Sequence, residues 1–231
     1  NRFGIITNRK DFLKAIRRNP PLRASDGLAV RERCPLAELV GMKAYGQTEV
    51  RYGNRLVRSV QLKGITPEIL TVEPYELAAG RTIAEDDQER AAAVAFLGSD
   101  IAEEVFGPVD PVGREVKLGG RSFEVIGVGA KRGSVFGMSR DNYALIPIST
   151  FQKIFGSRES IGIVVRARSA ADVEQTMDDV RVVLRARHHL RYEEEDDFGI
   201  VSPEALNALW RNMSRTIFQI ALFVVGISLV V

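Results

Sequence analysis

Sixteen uncharged residues, Thr216 to Val231 (TIFQIALFVVGISLVV), end the sequence shortly after Arg211 and Arg215. As a helix rising ~1.5 Å per residue they cover about 24 Å, somewhat short of the ~30 Å hydrocarbon core of a bilayer. The run therefore reads as the start of a membrane span, expected to continue a few residues past Val231. Its rival is a buried core helix, because apolar runs of about 10–14 residues are often that. An amphipathic surface helix is excluded, since Thr216, Gln219 and Ser228 are the only polar side chains and form no polar face. A signal peptide is excluded by the position at the C-terminal end. Trp210, Arg211 and Arg215 then mark the membrane boundary. The start at Asn1 rather than Met adds the expectation of a fragment.

The remaining 215 residues have ordinary globular composition. The whole sequence of 231 residues is 45% hydrophobic and 27% charged. That excludes a disordered chain and allows one large or two small domains. Lys and Arg number 32 against 30 Asp and Glu, a net charge of +2. No basic stripe with interleaved aromatics appears, so no nucleic acid is expected as a partner. Cys34 stands alone, which excludes an internal disulfide or a cysteine metal cluster and fits either redox compartment.

Local patterning places the elements. Arg2 to Thr7 is a short strand candidate, and Asp11 to Arg18 alternates basic and apolar residues before Pro20-Pro21. Ser25 or Asp26 is the expected cap of a helix through Arg33, ended by Pro35. Leu39 to Tyr52 and Arg55 to Leu62 form a hairpin around Gly53-Asn54, with Val50 facing Val57 and Glu49 facing Arg58. Pro67 to Val72 is a helical turn, and Glu85 to Asp87 a solvated acidic loop. Ala91 to Leu97 is a buried strand. Ser99 is expected to cap a helix that Gly107 and Pro108 stop.

A second hairpin joins Arg114–Leu118 to Arg121–Val128 through Gly119-Gly120, with Val116 opposite Phe123. Lys131 to Asn142 is a loop. Tyr143 to Ile148 is a strand, and Pro147 makes it an edge or a strand end. Ser160 to Arg168 is another strand. Ser169 and Asp172 resemble a capping box for a helix burying Val173, Met177, Val180 and Leu184. Arg185 and Arg187 in its last turn suit the dipole. A strand near Leu190 to Tyr192, a solvated loop from Glu193 to Asp197 and a helix opened by Ser202 and Pro203 complete the order.

Catalytic patterns are sought and not found. Gly127 to Ser134 (GVGAKRGS) fails the phosphate-loop pattern, having no Lys after the required Gly, and misses G-x-G-x-x-G by one position. It reads as a strand end and loop. His188 and His189 are adjacent, would point to opposite faces of a strand, and read as solvated rather than as a bidentate metal site. Neither Ser139 nor Ser202 sits in a nucleophile elbow, and with two histidines in all a hydrolytic triad is not expected. Cys34 reads as a small buried hydrophobe. No catalytic residue, cofactor or metal ligand is assigned.

Several pieces fall in a particular order. Gly80-Arg81 precedes the acidic run. Val94 to Ser99 (VAFLGS) leads into a helix. Phe106-Gly107 is followed by Asp110-Pro111-Val112-Gly113, and then by Phe123 to Val128 (FEVIGV). Each is weak alone. Together, at these spacings, they resemble the periplasmic core domain of MacB-like ABC transporter permeases, within the FtsX-like permease family. Ser134 to Gly137 (SVFG), Ile163 to Arg168, Asp197-Phe198 and the apolar tail extend the resemblance to essentially the whole chain. The family's ATPase motifs and its other spans are absent.

The resemblance implies an α/β (α+β) chain with two extracytoplasmic lobes. Residues 1–62 with 158–213 would build a porter-like lobe, 63–157 an inserted mixed lobe, and 214–231 the start of a transmembrane helix. It further implies a dimer in the cell (inner) membrane, with residues 1 to about 213 outside. The expected partners are a cytoplasmic ABC ATPase subunit, a second permease protomer, a periplasmic adaptor protein and the lipid bilayer. The implied role is coupling ATP-driven span motion to export; a signalling or scaffold module and a lipoprotein-releasing permease are the alternatives. Val135, Phe136, Met138 and Arg140, in the loop after the second hairpin, are the partner-contact candidates. Phe136 could instead fold back and plug its own lobe.

Overall fold

A computed structural model describes residues 20–135, 137–156 and 160–202. The chain divides into two compact units, Pro21–His188 and a second of Asn1–Pro20 with His189–Val231. The larger unit opens with helix α1 (Ala24–Arg33), whose N-cap is Arg23. The cap is therefore not Ser25 or Asp26. Asp26 works from inside the first turn, its carboxylate accepting the Arg23 backbone N–H at 2.8 Å, where a negative charge also suits the helix dipole.

Strands β1 (Ala37–Tyr52) and β2 (Arg55–Ile65) form the first hairpin, with Val50 opposite Val57. Glu49 does not face Arg58. The register moves by one residue between Thr48↔Val60 and Val50↔Val57, so Arg58 and Ser59 together oppose Glu49. Ser59 takes φ of 58° to do this. A β-bulge of this kind breaks the two-residue alternation on which the expected pair depended.

The chain continues through α2 (Ile69–Val72), β3 (Leu77–Gly80), α3 (Glu85–Glu89), β4 (Val94–Leu97) and α4 (Ser99–Phe106). The acidic run is thus helical rather than a solvated loop, and Asp87 is buried. Gly98, not Ser99, is the N-cap of α4, and the Ser99 hydroxyl is buried without a partner among the described residues. Gly107 ends α4 at φ 64°, as its permissive backbone allows. Then come β5 (Glu115–Leu118), β6 (Arg121–Gly129), β7 (Ser134–Val135), β8 (Met138–Ser139) and β9 (Tyr143–Pro147). Val116 lies opposite Phe123, as expected.

Helix α5 (Ile148–Phe155) has no sequence expectation behind it. Pro147 closes β9 and is at once the N-cap of α5, where its missing N–H costs nothing. Strand β10 (Gly162–Ala167), a short 3₁₀ turn (Ala170–Asp172) and α6 (Val173–Arg187) complete the unit. Ser169 donates to the Asp172 carboxylate at 2.7 Å but makes no backbone cap bond. Helix α6 buries Val180 and Leu184 as expected, with Thr176 and Val183 in place of Val173 and Met177.

Among the described residues the main sheet has eight strands, in the order β10-β1-β2-β9-β4-β6-β3, with β5 bonded to both β1 and β6. Pairing therefore closes a ring, β1-β2-β9-β4-β6-β5, with β10 and β3 attached outside it. The β2–β9 and β4–β6 pairs are parallel and the others antiparallel, a mixed α/β arrangement. Strand β9 lies between β2 and β4 with all five residues buried, so it is interior and not an edge. Strand β2 passes Leu62 and Lys63 without interruption.

Alternation along the strands feeds two cores. Ala95, Leu97, Val125, Ala144 and Ile146 turn to one side, where they meet Ile101, Val105 and Phe106 of α4, Phe123, and Phe151 of α5. Val94, Phe96, Ile126, Tyr143 and Leu145 turn to the other, under Ile65, Ile69 and Ile83. Full burial of each such side chain contributes about 1.5–3 kcal/mol. Gly64 admits α5 onto β2: a Cβ there would lie 2.5 Å from Phe151 Cβ.

In the smaller unit, Leu190 to Tyr192 is not a strand. The Arg191 N–H bonds the Glu194 carboxylate at 2.6 Å, which makes a local turn and leaves Tyr192 almost wholly exposed. The strand candidate Arg2–Thr7, the segment Asp11–Arg18, Trp210, Arg211, Arg215 and the apolar tail lie outside the described residues. No helix among the described residues is long and apolar enough to cross a membrane.

Candidate functional site

The loop from Lys131 to Asn142 carries the small hairpin β7–β8, with Ser134 opposite Ser139 and Val135 opposite Met138. Its base is held by one carboxylate. Asp141 is fully buried, and its Oδ2 accepts the backbone N–H groups of Arg132 at 2.9 Å and Gly133 at 2.7 Å. Its own N–H donates to Ser139 Oγ at 2.9 Å, and the Ser139 hydroxyl donates to Asp100 on α4. Arg140 N–H closes the loop on Gly133 O at 3.0 Å, and Lys131 pairs with Glu103 of α4 at 3.2 Å. Gly98 lets this base sit down on α4, because a Cβ there would meet Asp141 O at 2.1 Å.

The tip is different. Val135 is 46% exposed and Met138 72%, and Arg140 is exposed as well. Phe136, for which contact and plug were both open, lies outside the described residues. Apolar side chains on a hairpin fixed at its base lose little freedom when a partner covers them.

Elsewhere the titratable groups serve the scaffold. Asp26 joins α1 to α6: Arg187 Nε donates to its Oδ1 at 2.7 Å and Arg187 Nη2 to Ser25 Oγ at 3.0 Å. His188 Nε2 lies 3.7 Å from Asp26 Oδ2 with its side chain only 11% exposed, so this histidine is not solvated. Burial pushes the Asp26 carboxyl up, but the Arg187 bond, the Arg23 N–H and the nearby charges outweigh it and hold the pKa low. Arg81 grips Asp87 with both terminal guanidinium nitrogens, one at 3.0 Å, and Ala84 N–H adds a bond at 2.9 Å. Cys34 is buried, and burial with the Asp179 charge raises its thiol pKa, the opposite of an activated thiolate. No group of three or more His, Cys, Asp or Glu among the described residues is placed to hold a metal.

A cluster that sequence reading missed joins Lys43, Tyr45, Lys63, Tyr75, Arg132 and Tyr143, residues far apart in sequence. Strand register aligns Lys43, Tyr45, Lys63 and Tyr143, and the segments before β3 and after β6 add Tyr75 and Arg132, so no local motif announces them.

The fold is that of solved periplasmic and extracellular transporter domains. It superposes on the periplasmic region of MacB from Actinobacillus actinomycetemcomitans with a TM-score of 0.71, at 22% identity, covering 92% of this chain and 89% of that one. The extracellular domain of the noncanonic ABC-type transporter YknZ from Gram-positive bacteria gives 0.65 at 23% identity, covering 74% and 86%. Residues 2–183 match the MacB-like periplasmic core domain, and the chain belongs to that family. Among curated relatives, the macrolide export ATP-binding/permease protein MacB of Bdellovibrio bacteriovorus is 25% identical over 194 residues, 83% of this chain. The pyoverdine export ATP-binding/permease protein PvdT of Pseudomonas syringae pv. syringae is 30% identical over 197 residues, 80% of this chain. The chain spans 30% of the length of each of these two relatives.

Proposed function

We propose that the chain is the extracytoplasmic part of an ABC exporter permease subunit. The observation that carries this reading is the match of residues 2–183 to the MacB-like periplasmic core domain. The work is transmission: motion of membrane spans passes outward into a porter-like lobe (1–62 with 158–213) and an inserted lobe (63–157). A cytoplasmic ATPase supplies the power, a second protomer completes the permease, and the β7–β8 tip meets that protomer or a periplasmic adaptor. Residues 214–231 enter the inner membrane behind Trp210, Arg211 and Arg215.

Two measurements test this. Cells lacking the full-length gene should lose ATP-dependent efflux of at least one compound and regain it with the intact gene. Unchanged efflux together with loss of an extracytoplasmic hydrolase activity would replace export by signalling. For the tip, Val135→Ser with Met138→Ser should leave the melting temperature of the chain within about 2 °C, since exposed substitutions shift stability by about ±0.5 kcal/mol. The same pair should reduce efflux several-fold; full efflux would remove the tip from the interface.

A further inference from the structure

On the side of the sheet away from α4 and α5, strand register aligns four charged and aromatic positions. Tyr45 of β1 stands directly opposite Lys63 of β2, and Lys43 is two residues before Tyr45 on the same face. Tyr143 opposes Gln61 in the neighbouring β9, again two residues from Lys63. Tyr75 arrives from the segment before β3, and Arg132 from the segment after β6. Lys63 Nζ lies 5.7 Å from the Tyr75 ring centre, 5.4 Å from that of Tyr143, and 3.3 Å from the Tyr75 hydroxyl. The Arg132 guanidinium lies 5.5 Å from the same Tyr75 ring. Tyr143 is the buried floor, Lys63 and Tyr75 are half-buried, and Arg132 and Tyr45 are exposed.

The charges do not balance. Three cations, Lys43, Lys63 and Arg132, stand near two carboxylates: Glu73, which already pairs with Lys43, and the buried Asp141, which is occupied by the backbone N–H groups of Arg132 and Gly133. Among the described residues neither Lys63 nor Arg132 makes a direct ion pair, and the two cations share the Tyr75 ring. Burial lowers the Lys63 pKa, and the positive charges of Arg132 and Lys43 push the same way against Tyr45 and Glu73. An anion placed between Lys63 and Arg132 would relieve that repulsion in a half-desolvated setting, where a charge pair is worth more than in water. Beside them Tyr45 offers a ring that is 60% exposed, a flat surface for an apolar body.

We propose that Lys63, Arg132, Tyr45 and Tyr75 form a binding site for a small organic anion, a carboxylate on a flat apolar body. Lys63 and Arg132 hold the carboxylate, Tyr45 covers the flat face, and Tyr75 fixes both cations. The site goes beyond the exporter reading and does not depend on it, because it is tested with the chain alone.

The experiment titrates the full chain, in non-ionic detergent, with benzoate followed by saturation-transfer NMR, with inorganic phosphate in a parallel series. Benzoate should bind saturably with one site, and Lys63→Met and Arg132→Met should each weaken it at least tenfold. Tyr45→Ala should weaken benzoate but leave any phosphate binding unchanged. Circular dichroism melting of each variant confirms that it is folded. Absence of saturable benzoate binding overturns the proposal, and so does equal binding by the folded Met variants. Phosphate binding as tight as benzoate overturns the flat-body assignment. If Lys63→Met fails to fold, Lys63→Arg, which keeps the charge, should retain benzoate binding, and its loss there also counts against the site.

Discussion

Arg81 and Asp87 show how one pair can convert an acidic stretch into a structural joint. Asp87 is buried, and its side chain takes both Arg81 and the Ala84 N–H. The Arg81 hydrogen bond holds its pKa below the usual carboxylate value, against the opposing effect of burial. A depressed pKa contributes stability that is present above the unfolded value of about 3.9 and is lost as pH falls through the folded value. Asp87→Asn should therefore cost about 1–3 kcal/mol at neutral pH. The gap from wild type should shrink below about pH 4. Urea midpoints at pH 7 and pH 3 check this, and an equal gap at both would show that the charge is irrelevant. The sequence shows three acids in a row at this place, but not that Arg81 folds back over the third.

At the level of elements, hairpins and helices rest on short-range geometry while their neighbours do not. The β5–β6 hairpin sets Phe123 opposite Val116 and buries it to 2% exposure in the first core. Phe123→Ala should cost about 3–5 kcal/mol. A denaturation midpoint equal to wild type would mean the side chain is not in that core. Gly64→Ala tests the seat of α5 on β2. Its Cβ would overlap the Phe151 ring stem, so a loss of about 1–3 kcal/mol is expected by overpacking. An unchanged melt would show that α5 shifts freely.

For the molecule as a whole, the ring of strands depends on β1 being long enough to pair in succession. It bonds β10 through Ala37–Lys43 and reaches β5 at Val50 and Arg51. The apolar run Thr216–Val231 belongs to this scale too. Full-length protein carrying it should stay with the membrane fraction after alkaline extraction, and release into the soluble fraction would return the run to the role of a core helix.

Much was settled by the sequence alone. The hairpin at Gly53-Asn54 and its Val50–Val57 pair, the hairpin at Gly119-Gly120, the helix stop at Gly107 and the strand expected over Ala91–Leu97, which forms from Val94, all follow from turn chemistry and local apolar runs. These are decided within a few residues, where backbone sterics dominate. The mixed α/β class and the family were legible from ordered short motifs. The same local evidence misled wherever a distant neighbour ruled. Pro147 allowed an edge or a strand end, and only the tertiary structure chose between them: it ends β9, which is itself interior between β2 and β4. The Ser59 bulge, the burial of Asp87 and His188, and the turn at Leu190–Tyr192 arose from partners or geometry that pattern counting does not see. The Val135–Met138 tip was legible as apolar residues between glycines, whereas its clamp on Asp141 was not. The Lys63–Arg132 cluster was invisible in sequence, because charge convergence across β1, β2 and β9 is a property of register, and register is fixed only when the strands pair.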